Sequence, residues 1–267
     1  MNLLDALLAT LPAGKILDVR VGAFWTAVVA EVNGVARCGL AATLHNVANH
    51  HHTDQPDVRD AGDLIARDAR ALAELARASS RLEASIGIAT INALLPKRDE
   101  WWVNLNAEEV IAREGAGRRV ALVGHFPFVP RLRERVGTLW VLEEQPHGDD
   151  LPASAATEII PQADVLAITG TTLINHTFDA LMALRRADAL VLVLGPSTPL
   201  SPILFDYGVH ILSGSIVEDV EAVLRGISQG ANFRQLHRLG VRLVTMQKPA
   251  KADCVDAPIR FIGFPPH

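Results

Sequence analysis

Short, almost wholly apolar runs alternate with helix-forming segments through the second half of the chain, and nothing else restricts its fold so tightly. The runs are Arg119–Val123, Thr138–Glu143, Val165–Thr169 and Ala189–Leu194, with Val209–Leu212 as a fifth. A strand covered on both faces loses the in-out alternation of a half-exposed strand, because both sides of its pleat meet core. Val129–Val136, Asn175–Arg186 and Val217–Ser228 fall between or after them and read as helices. A βαβ series of this kind predicts a parallel sheet with helices on both faces, a Rossmann-like α/β arrangement over residues 118–245.

The first hundred residues obey a different pattern. Leu3, Leu4, Leu7 and Leu8 share one face of an opening helix, and Ile16–Ala30 is a strand candidate rich in β-branched residues. Asn33-Gly34 suits a hairpin turn, and Val35–Ala41 returns as a second strand. Asn46–Asp57 is polar, and Ala61–Ala78 and Arg81–Leu95 carry helical spacing. The expected organisation is therefore a smaller α+β domain over 1–110, a parallel-sheet domain over 111–248 and a tail over 249–267.

Apolar residues make up 49% and aromatics 5%, so the core of this 267-residue chain should be aliphatic. A net charge of −5 disfavours a nucleic-acid partner, whose phosphates require a basic surface. Cys38 and Cys254 are too few for a disulfide framework, which suits a reducing, cytoplasmic setting. No apolar run approaches a membrane span, and the apolar opening helix is compatible with a homodimer.

Open parallel sheets gather ligands beyond the carboxyl ends of their strands, where strand order reverses. Four strand ends here carry suitable residues. The first is Gly124-His125-Phe126-Pro127, where glycine admits close approach and His125 can exchange a proton near neutrality. The second ends at Glu143-Glu144, and Glu143 is placed to hold ribose hydroxyls or to act as acid or base. The third, Thr169-Gly170-Thr171-Thr172 with Asn175, offers hydroxyls, an amide and backbone N–H groups to an anionic or hydroxyl-rich ligand. The fourth is Gly195-Pro196-Ser197-Thr198. No GxGxxG occurs, which argues against ordinary NAD binding, and HExxH and the Walker loop are also missing. His50, His51 and His52, beside Asp54 and Asp57, are metal-ligand candidates by residue type, although consecutive side chains seldom aim at one ion. Cys38 within its apolar strand reads as filler.

The strings VGHFPF, LEE, ADVLAITGTTLINHTFD and GPSTPLSPILFDYGV resemble the DUF364 family, described as "Putative heavy-metal chelation". Ser80–Leu95 resembles the end of that family's N-terminal DUF4213 domain. The resemblance implies an enolase-N-terminal-like first domain, a Rossmann-like second domain and a functional cleft between them, with Glu83 and Asn92 as candidates for the opposite wall. The expected function is binding of a small anionic or metal-chelating ligand, with a transition metal or metal chelate as cofactor. The alternative is an enzyme acting on a nucleotide- or cofactor-like molecule, with Glu143 or His125 as its acid or base.

Overall fold

The computed structural model describes residues 2–46 and 56–247. Helix α1 (Leu3–Ala9) is capped by Asn2, whose side chain accepts the Asp5 N–H at 2.8 Å. Strands β1 (Lys15–Val21), β2 (Trp25–Val32) and β3 (Val35–Ala42) form an antiparallel meander. The single strand expected over Ile16–Ala30 is two strands, because the chain reverses between Gly22 and Trp25. The Gly22 N–H donates to the Trp25 carbonyl at 2.9 Å, a turn with none of the Asn-Gly or Asp-Gly chemistry that marks the next hairpin.

The helix expected over Ala61–Ala78 is also interrupted. It resolves into α2 (Ala69–Ala73), capped by Asp68, between 3₁₀ turns at Leu64–Ala66 and Glu74–Arg77. Helix α3 (Arg81–Leu94) begins where Ser80 accepts the Glu83 N–H and is buried along nearly its whole length. It lies against backbone on two sides. A Cβ on Gly39 of β3 would fall 2.1 Å from the Ala89 carbonyl oxygen, and one on Gly87 would fall 1.9 Å from the Ala76 nitrogen. Glu83 is buried on this helix and accepts from the Arg59 backbone N–H at 2.8 Å and from its guanidinium at 3.0 Å.

The remaining elements are α4 (Ala107–Glu114), β4 (Arg119–Val123), α5 (Val129–Arg133), β5 (Thr138–Glu143), β6 (Leu151–Pro152), α6 (Ala156–Ile159), β7 (Val165–Thr169), α7 (Phe178–Leu184), β8 (Leu190–Leu194), α8 (Ile203–Asp206), β9 (Ile211–Val217), α9 (Val220–Ser228), α10 (Phe233–Arg238) and β10 (Val241–Gln247). Their strands build a seven-stranded sheet of order β10-β9-β8-β7-β4-β5-β6. Every pairing is parallel except that of β10 with β9. The chain is thus mixed α/β, a mostly parallel sheet with a separate small antiparallel one. The antiparallel edge strand β10 was not expected, since Arg242 and Thr245 interrupt its apolar run.

Both faces of the parallel sheet are covered. Ala121, Leu166, Ile168, Val191 and Val193 join a cluster that continues through α3 and the meander to α1. Their strand neighbours Val120, Leu122, Val165, Ala167 and Leu192 pack on the opposite side with Val110 and Ile111 of α4. This two-sided burial is why the strands read as unbroken apolar runs. No helix among the described residues is long and apolar enough to cross a membrane.

Two stability predictions follow from α3. Gly87→Ala should cost about 1–3 kcal/mol or more, because the added carbon meets fixed backbone rather than a movable side chain. A chemical-denaturation midpoint unchanged from wild type would contradict so close an approach. For Glu83, burial raises the carboxyl, but the Arg59 guanidinium and backbone N–H outweigh it and hold it below its ordinary value. Its stabilisation is therefore full above the unfolded glutamate value of about 4.3 and fades as pH falls through the lower folded value. Glu83→Gln should be less stable than wild type by about 1–3 kcal/mol at pH 7, with the gap closing in acid. Denaturation curves at both ends of that range would show it.

Candidate functional site

Strand order sets the location of the site. From β4 the chain adds β5 and β6 on one side, then crosses to place β7, β8 and β9 on the other. The reversal lies between β4 and β7, and the four expected strand ends stand there side by side in the order β8, β7, β4, β5. Gly124 follows β4 with φ 100°, and a Cβ there would lie 3.1 Å from the Thr169 side chain at the end of β7. Only glycine combines that backbone with that proximity.

Over these ends lies a cavity of about 740 Å³. Gly124, His125, Phe126, Glu143, Thr169, Thr171, Thr172, Asn175, Gly195, Pro196 and Ser197 all line it. The opposite wall comes from Trp25 of β2, Ala42 of β3, Leu44 and Arg81 at the start of α3, with Phe233 of α10 at one end. Glu83 and Asn92 do not line it. Glu83 faces Arg59, as described above, while Asn92 sits with Thr198 on a separate cavity of about 40 Å³. Gly170 packs against the Thr198 turn. The His50–His52 run lies outside the described residues.

Asn92 instead joins the two sheets. Its Nδ2 donates to the Leu40 carbonyl at 2.8 Å and to the Ser197 carbonyl at 3.3 Å. Ser197 completes the connection by accepting the Ala42 N–H on its Oγ at 2.8 Å. Strand β3 and the turn after β8 are therefore held to each other through one serine.

The acidic groups around the cavity are already engaged. Glu143 accepts the His125 N–H at 2.8 Å on one oxygen and the Glu144 N–H at 2.8 Å on the other, fixing the turn after β4. Glu144 receives the Arg81 guanidinium through two bonds, of 2.9 and 3.0 Å, and the Asn175 amide at 3.0 Å. Asp150, just before β6, bonds to the His125 ring at 2.7 Å. Phe126 stacks on Phe128 with ring centres 5.2 Å apart, presenting a flat apolar surface beside His125. The hydroxyls of Thr169 and Thr171 lie 3.0 Å apart, and Thr172 donates to the Thr169 carbonyl at 2.7 Å.

Several of these participants carried no sequence signal. Asp150 follows another aspartate in a loop, and only the fold shows which of the two turns inward. Arg81 looks like an ordinary first-turn residue, and Trp25 like a strand residue. Cys38 behaves as expected of filler: burial, with a contribution from Asp18, pushes its thiol up to about 12.

A bare metal ion finds little here. Among the described residues, no three His, Cys, Asp or Glu side chains are grouped to hold one. Each carboxylate of the described residues at the cavity already has hydrogen-bond donors.

The comparisons with known proteins agree with this architecture. A DUF364-family protein from Desulfitobacterium hafniense has a crystal structure with a TM-score of 0.78, 25% identity, and coverage of 92% of this chain and 97% of its own. A second family member, from Pyrococcus horikoshii, shares the fold at a TM-score of 0.74 and 20% identity, covering 92% and 98%. An uncharacterised protein of Methanocaldococcus jannaschii is 25% identical over 222 residues, 79% of this chain and 82% of the relative. Residues 4–95 match DUF4213 and residues 106–246 match DUF364, both described as "Putative heavy-metal chelation". The chain belongs to the DUF364 family, with a DUF4213 segment preceding it.

Proposed function

We propose that the cavity binds a small organic ligand, anionic or metal-chelating, and that any metal arrives inside that ligand's complex rather than as a bare ion. The observation that carries this reading is the contrast between the walls and their acids. Trp25, Leu44, Phe126, Leu181 and Phe233 form an extensive apolar surface, while the carboxylates are already hydrogen-bonded. A body of rings or hydrocarbon would cover the apolar walls, and the volume lies within the usual range for small-molecule sites. Its polar end would meet the threonine hydroxyls at β7 beside the Gly195 turn after β8. An organic chelate fits such a cavity because it brings its own ligands and leaves at most one position on the metal for the protein. The family's description supports a connection with metals, and the committed carboxylates favour a carried metal over a captured one.

The test is purification without an affinity tag, followed by native mass spectrometry and metal analysis of the same sample. A bound organic molecule is expected, with any metal present in proportion to it and lost when it is lost. Phe126→Ala should reduce retention about tenfold through loss of the flat wall. Ligand-free protein that takes up one transition-metal ion tightly would overturn the reading.

A further inference from the structure

Among the polar groups of the cavity, His125 combines a fixed position with a ring nitrogen that no described residue engages. His125 is held at two points. Its backbone N–H donates to Glu143 at 2.8 Å, and its Nδ1 lies 2.7 Å from Asp150 Oδ2. The Asp150 side chain is 1% exposed, whereas that of His125 is 42% exposed and borders the cavity. The His147 backbone N–H donates to the same Asp150 oxygen at 3.2 Å. An ionised carboxylate can only accept, so against the Asp150 carboxylate it is Nδ1 that carries the shared hydrogen. The Nε2 lone pair is then bare and has no partner among the described residues. Burying a carboxylate behind an imidazole is costly unless it serves that imidazole, and it stabilises the charge that forms when Nε2 takes a proton.

We propose that His125, positioned by Asp150, is the proton-accepting base of this cavity, giving the site an acid–base activity on a ligand bearing an ionisable O–H or N–H. The inference rests on the ligand-binding reading above and deepens it. The step balances within the site. The ligand's X–H bond breaks, its proton joins Nε2, and the bonding pair stays on X. The resulting imidazolium keeps its Nδ1–H bond to the Asp150 carboxylate. Thr169 and Thr171 supply a counterpart for the anion. One hydroxyl proton is used between the two oxygens, 3.0 Å apart, so whichever oxygen accepts keeps its own proton free. Return of the proton from Nε2 to a different atom of the same ligand completes a tautomerisation or isomerisation, which needs no co-reactant. Glu143, with a backbone N–H on each oxygen, is a positioning residue for the turn that carries the base.

Two measurements on ligand-free protein test this. Long-range ¹H–¹⁵N spectra of the neutral His125 ring should show the hydrogen on Nδ1 and a bare Nε2; a ring protonated on Nε2 instead would overturn the proposal. Carbethoxylation by diethyl pyrocarbonate, mapped by peptide mass spectrometry, should modify His125 at least as fast as the exposed His147. Asp150→Asn should slow His125 about tenfold while leaving His237 unchanged, since an amide cannot stabilise the forming positive charge. Equal rates in the two proteins would also overturn it. Circular dichroism checks that the variant folds, and if it does not, the tautomer measured in the unaltered protein decides. A cavity that retains no molecule, beside a His125 with the expected chemistry, would count against the binding reading alone.

Discussion

Ser197 bears the junction on which the site depends. Its carbonyl receives the Asn92 amide of α3, and its hydroxyl receives the Ala42 N–H of β3. Two polar contacts thus tie the edge of the meander over the carboxyl ends of the parallel strands. Neither would be strong in water, but their donors and acceptors are largely withdrawn from solvent, where an unmade hydrogen bond is costly. The cavity is the space left between these two clamped surfaces. Its apolar roof comes from β2 and β3 and its polar floor from β7 and β8, so neither sheet alone contains it.

The cavity's electrostatics come from mutual satisfaction rather than from accumulated charge. Glu143 orders a turn, Glu144 and Arg81 neutralise each other at the rim, and Asp150 lies behind an imidazole. Such an arrangement offers direction to a ligand without a strong field. It also separates groups that look alike in sequence: three acids near one strand end have three different tasks, set by which N–H or cation each one meets.

The parts of this architecture legible in the sequence are those with local causes. Two-sided burial produced the apolar runs of β4, β5, β7 and β8, and their polar or glycine ends follow directly in the chain. The Asn33-Gly34 hairpin was visible for the same reason. What escaped was tertiary. Gly22 reverses the chain without the usual turn residues, and the segment over 61–78 breaks into short helical pieces although its spacing looks continuous. Glu83 and Asn92 were singled out as residues of the opposite wall, yet each is drawn to a different partner, Arg59 in one case and the Ser197 turn in the other. Arg81, at the start of the same helix, reaches the cavity instead. A family resemblance identifies a helix but not what each of its faces meets.

The unbroken cluster that runs from α1 through α3 to β7 and β8 also has a consequence for synthesis. The meander and α3 are complete in the nascent chain by residue 95, but β7 and β8, which share their cluster, are complete only at residues 169 and 194. Until then the part of their apolar surface that faces the parallel strands lacks its native cover, which puts this protein's early translation product in the class of chains prone to associate while they wait.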